Sequence, residues 1–143
     1  MQLLLATLCD SAADYSGKLC ILGAFDTLCA QEFPVVHPQC SLALRLLFYP
    51  EDAGRHQLSI QLEDEVGGVI IPESALGATI DVSLPPGSVP FVTRNLVRNL
   101  QHLRFEEPGI YRFEIKRNGR QVISLPLRVA RLEDMRPTMG PAG

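Results

Sequence analysis

The stretch from Glu106 to Val129 constrains this chain more than any other, because it reads as turn, strand, turn, strand with alternating side chains throughout. Tyr111, Phe113 and Ile115 fall on one face and Arg112, Glu114 and Lys116 on the other, which is the period-2 signature of a half-buried β-strand. Its tip is Arg117-Asn118-Gly119. A two-residue Asn118-Gly119 turn would set Phe113 opposite Ser124 and Arg112 opposite Leu125, mixing apolar with polar on one face. A three-residue loop with Gly119 left-handed in a bulge pairs Phe113 with Ile123 and Tyr111 with Leu125, so that register is expected. Tyr111 occupies the place where many sandwich domains tie a corner through a tyrosine hydroxyl, a structural role.

Other segments repeat the pattern. Leu42, Leu44, Leu46 and Phe48 alternate with Ala43, Arg45 and Leu47 ahead of a Pro50–Gly54 turn, and Leu58, Ile60 and Leu62 alternate with Gln57, Ser59 and Gln61. Ile80, Val82 and Leu84 do the same before Pro85-Pro86-Gly87. Residues 91–105 are ambiguous, since Val92, Leu96, Leu100 and Leu103 match helical spacing within a Val-, Thr- and Asn-containing stretch. A strand with a bulge is expected there, with a helix capped by Ser88 as the competitor. Between the apolar runs 2–9 and 18–26, Asp10 as a cap and Gly17 as a left-handed stop suggest a short helical turn near residues 10–17. Thr27 to Pro38 is expected to be a loop.

These segments predict an all-β fold: an antiparallel two-sheet sandwich, Ig-like or related, of seven to nine strands. At 143 residues the chain has the length of one domain. Residues 1–130 are expected to form it, with a flexible tail over 131–143. The 46% hydrophobic content is too high for disorder, and 11 Pro with 11 Gly suit short strands joined by tight turns.

The composition also bounds the partners. Thirteen basic against sixteen acidic residues give a net charge of −3, with no basic stripe of the kind nucleic acid requires. The apolar N-terminus lacks a basic leader and ends at Asp10, and no stretch approaches a membrane span, so a cytoplasmic location is expected. Cys9, Cys20, Cys29 and Cys40 lack metal-ligand spacing and are expected to behave as small buried hydrophobes in a reducing compartment.

No chemistry-bearing motif emerges. Gly17-Lys18 lacks the glycine five residues upstream that a phosphate loop needs. Asp10, Asp14, Asp26, Glu63, Asp64 and Glu65 match no calcium loop and read as solvated turn carboxylates. His37, His56 and His102 lie in separate segments. Neither cofactor nor metal is expected, and an enzyme with a site of dispersed His and carboxylate residues is the rival reading.

The opening strands break the half-buried rule. If Leu3, Leu5, Thr7, Leu19, Ile21 and Phe25 face the core, a second apolar row of Leu4, Ala6, Leu8, Cys20, Leu22 and Ala24 is left on the opposite side. Such a patch marks a contact surface unless the chain covers it, by the 27–38 loop or a helix from 91–105. Covering about 400 Å² contributes about 10 kcal/mol gross, before the costs of association. The expected function is therefore a non-enzymatic binding or assembly module, self-associating through that row or taking another protein as partner.

The run Gly17-Lys18-Leu19-Cys20-Ile21-Leu22-Gly23-Ala24-Phe25-Asp26, with Phe33-Pro34 and the segment from Pro108 through Tyr111-Arg112-Phe113 to Leu125-Pro126-Leu127, resembles a bacterial family of unknown function. The resemblance spans nearly the whole chain and implies a bacterial cytosolic β-sandwich. It implies no activity and brings no catalytic residue.

Overall fold

A computed structural model describes residues 1–85 and 87–135. Among these residues ten strands form two sheets, one more strand than the upper bound set by the sequence. They are β1 (Gln2–Tyr15), β2 (Lys18–Phe25), β3 (Thr27–Ala30), β4 (Val35–Phe48), β5 (Gly54–Glu63), β6 (Val69–Ile71), β7 (Ala78–Val82), β8 (Val92–Phe105), β9 (Gly109–Arg117) and β10 (Arg120–Arg131). One sheet runs β2-β1-β4-β8. The other runs β3-β10-β9-β5-β6, with β7 also on β5. All pairings are antiparallel except β3 with β10. The core lies between the sheets, where Leu42, Leu44, Leu46 and Phe48 of β4 meet Leu58, Ile60 and Leu62 of β5 and Tyr111, Phe113 and Ile115 of β9. Among the described residues no helix is long and apolar enough to cross a membrane.

Several local expectations are corrected. No helical turn occupies residues 10–17: β1 continues to Tyr15 and pairs it directly with Lys18. Ser16 and Gly17, with φ of 53° and 83°, make the two-residue turn, and Asp14 Oδ1 accepts the Gly17 N–H at 2.9 Å. The left-handed glycine thus closes a hairpin where a helix stop was expected. The segment 27–38 is not one loop, since β3 and the start of β4 lie within it.

Residues 92–105 do form a strand, but without a bulge. The β4–β8 register is unbroken past Pro38 and His102, with Gln39 opposite Gln101 and His37 opposite Leu103. His102 takes φ 55°. That single left-handed residue reverses the pleat, so that Leu100 and Leu103, three apart, are both buried in the core. The helix-like spacing in the sequence is the trace of this reversal.

The closing hairpin takes neither register considered. Arg117 pairs with Arg120 across a two-residue Asn118-Gly119 turn (φ 48° and 83°), and a bulge at Val122 then shifts the ladder by one. Ile115 consequently faces Ile123, Phe113 faces Leu125 and Tyr111 faces Leu127. The expected Phe113–Ile123 and Tyr111–Leu125 pairs are replaced by equally apolar ones. Leu132–Asp134 form a 3-10 turn, and the remainder of the expected tail beyond Met135 lies outside the described residues, as does Pro86.

Candidate functional site

Irregular strand backbone meets accessible apolar side chains in the β1–β2 ribbon and at the open end of the sandwich beside the Asn118-Gly119 turn.

In the ribbon, a bulge between Leu3 and Leu5 resets the faces of β1. Leu3 pairs with Leu46, Ala6 with Leu44 and Leu8 with Leu42, all core positions, whereas Leu5, Thr7 and Cys9 oppose the outward residues Arg45, Ala43 and Ser41. Ala6 and Leu8 therefore do not belong to an outward row. Leu8 is buried and Ala6 packs against the core, because the extra residue, Leu4, inverts the alternation that follows it. Leu4 is exposed, and Cys20, Leu22 and Ala24 of β2 are exposed, with Leu22 at 70% of its free surface.

The same ribbon supplies its own cover for the rest of the sheet. Gly17 lies twelve residues beyond Leu5, about 40 Å along a straight strand. Yet Arg45, the ladder partner of Leu5, donates from Nη1 to the Gly17 carbonyl at 3.0 Å. Asn95 Nδ2 donates to that carbonyl at 3.2 Å and to Asp14 Oδ2 at 3.0 Å. The tip must therefore fold back over the outer face of β4 and β8. Gly23, at φ 68°, lets the ribbon turn: it stands opposite Asp10, whose carboxylate lies where a Cβ would be. Beneath the folded tip, Cys9, Ser41 and Ala43 are buried although they point away from the core. Cys9 Sγ donates to the Ser41 carbonyl at 3.6 Å, and burial raises its pKa. Burial pushes the Cys40 thiol up to about 11, so both stay protonated and unreactive near neutral pH. Cys20 and Cys29 are exposed, and all four cysteines are free.

At the open end, the core-facing row Tyr111, Phe113, Ile115 terminates in Arg117. Its Nε donates to His56 Nδ1 at 3.0 Å, which leaves the other ring nitrogen to donate to the Asp52 carbonyl at 2.6 Å. His56 is buried against Phe48 in a tilted contact. The Asp52 carboxylate accepts the Tyr49 N–H and pairs with the Met1 amino group at 2.9 Å; these hold its pKa below the usual value, the Tyr49 bond contributing most. Next to this network lies a concavity of about 480 Å³, lined by Met1, Leu3, Val122, Arg117, Asn118, Arg120 and Gln121. No periodic signal in the sequence marks it, because bulges on two separate strands create it.

The remaining candidates stay apart. Tyr111 is buried and donates its hydroxyl to the Glu107 carbonyl at 2.6 Å. Glu65 accepts the Ile110 N–H at 2.6 Å, and Asp64 Oδ1 accepts the N–H groups of Val66 and Gly68, so these carboxylates tie turns. His37 packs near Phe25 with an unpartnered Nε2, far in the fold from the His56 network. Among the described residues no three His, Cys, Asp or Glu side chains converge as metal ligands.

Among curated proteins, none shows significant similarity to this sequence. Residues 4–130, nearly the entire sandwich, match DUF6941, a family of unknown function, and the chain belongs to that family.

Proposed function

We propose that the protein is a non-enzymatic assembly module of the bacterial cytoplasm that pairs with a second copy of itself through β2. The observation that carries this is the contrast between β2 and the outermost strands β3, β6, β7 and β8. Exposed edges are ordinarily blunted by shortness, charge or irregular backbone. β3, β6 and β7 have four, three and five residues. β8 is long but carries Arg94, Arg98 and Arg104. β2 is eight residues long, with Lys18 as its one charged side chain and Leu22 largely exposed.

β2 is also complementary to itself. Tyr15 and Lys18 close a two-residue turn as a hydrogen-bonded pair, so the backbone groups of Leu19 and Ile21, on the regular stretch before Gly23, point away from β1. Antiparallel pairing about Leu22 brings those groups opposite Phe25 and Gly23 of the second copy. It sets Leu22 against its counterpart, Cys20 against Ala24, Ile21 against the side-chain-free Gly23, and Lys18 against Asp26 at both ends. A two-fold axis requires this kind of self-match. Free, exposed Cys20 and Cys29 fit a reducing compartment.

The charge pair supplies the test. Lys18→Glu is expected to weaken the dimer at least tenfold in sedimentation equilibrium, and adding Asp26→Lys to restore it. Equal weakening by Lys18→Glu alone and by the double variant would reject this register.

A further inference from the structure

We infer that the concavity at the open end of the sandwich binds a small amphiphilic anion, its carboxylate or phosphate held by Arg117 and Arg120 and its apolar body resting on Leu3 and Val122. Three independent observations converge there. First, Arg117 and Arg120 are direct cross-strand partners at the closing pair of the hairpin, where like charges repel. Of the other described arginines, Arg55 and Arg104 pair with Asp81 and Glu106, Arg45 and Arg98 donate to backbone carbonyls, and the exposed Arg112 and Arg128, which also lack an ion pair, do not line this cavity. Among the described residues, no carboxylate lies within ion-pair distance of Arg117 or Arg120, and the one bond of Arg117 uses only its Nε. Two forked guanidinium groups are thus left facing one space, the arrangement that suits bidentate oxyanion binding.

Second, the space has the size and lining of a ligand site. About 480 Å³ falls within the range of small-molecule pockets, and its lining combines the apolar Met1, Leu3 and Val122 with the polar Arg117, Asn118, Arg120 and Gln121. Third, both strands that supply Leu3 and Val122 are bulged there, β1 at Leu4 and β10 at Val122. Bulges re-aim side chains at rims and sites, and here Val122 is the inserted residue itself. Arg117 sits on the inward row of β9, so its charge points into the end of the core instead of into open water. The Asp52 carboxylate already offsets part of the Arg117 charge, so a neutral ligand would leave Arg120 without a counter-charge, and a bare inorganic anion would leave the apolar side chains wet.

Isothermal titration of the full chain with hexyl phosphate, hexanoate, inorganic phosphate and hexanol separates these contributions. At least one of the two hexyl anions is expected to saturate a single site at least tenfold more tightly than inorganic phosphate or hexanol, and whichever wins identifies the headgroup. Arg120→Gln, at an exposed position, is expected to weaken that binding at least tenfold while leaving the melting temperature unchanged. Amide shifts on titration are expected at Leu3, Val122 and Gln121. Equal affinities for anion and alcohol, affinity unaffected by Arg120→Gln, or shifts confined to another part of the molecule would each overturn the inference.

Discussion

Asp14 shows how much one side chain can anchor. Its carboxylate accepts the Gly17 N–H at 2.9 Å and the Asn95 amide at 3.0 Å, tying the ribbon tip to itself and to β8. The Gly17 bond, then the Asn95 bond, hold its pKa below the usual value. A depressed folded-state pKa stabilises the protein above the unfolded-state pKa, and this stabilisation disappears as pH falls through the folded-state value. Asp14→Asn is therefore expected to lower the melting temperature at pH 6 and to show a smaller deficit at pH 2.5. An equal deficit at both pH values would mean that charge plays no part. Packing sets a larger scale. Phe113 is fully buried among both sheets, and Phe113→Ala is expected to cost about 3–5 kcal/mol in urea unfolding.

At the scale of elements, alternation was legible wherever the ladder is regular and misleading wherever one residue breaks it. β5 and β9 follow period 2, and their buried rows, with Leu42, Leu44, Leu46 and Phe48 of β4, are those the sequence indicates, although Ser41, Ala43 and Leu47 on the other face of β4 are buried as well. In β1 one extra residue at Leu4 moves Ala6 and Leu8 inward and Leu5 and Thr7 outward, with no hint in composition. In β10 the extra residue at Val122 allows the Asn118-Gly119 turn and apolar pairing to coexist, a combination that requires a bulge placed beyond the turn. The end cavity was invisible for the same reason. Turn chemistry differs again between the two hairpins. Gly119 has open space where a Cβ would stand, so Gly119→Ala should cost only the left-handed strain, about 1–2 kcal/mol. Gly23→Ala adds a collision with the Asp10 carboxylate. It should release the folded tip, seen as faster amide exchange at Asp14–Lys18 than Gly119→Ala produces; equal exchange in the two variants would contradict the account of the ribbon.

The molecule as a whole is a two-sheet sandwich that buries the outer face of β4 under its own N-terminal ribbon. That arrangement answers half of the problem posed by the opening strands. Self-cover accounts for Cys9, Ser41 and Ala43, while Leu22, Cys20 and Ala24 on the far side of the fold-over stay in water in the single chain. The surface assigned to assembly is thereby narrowed from two strands to one edge. Light scattering across a hundredfold range of concentration tests this most directly. The chain of 15.7 kDa should give twice its mass at the upper end, and Leu22→Glu should give the single-chain mass throughout. A wild-type protein that stays at the single-chain mass at every concentration, or a dimer indifferent to Leu22→Glu, would contradict it.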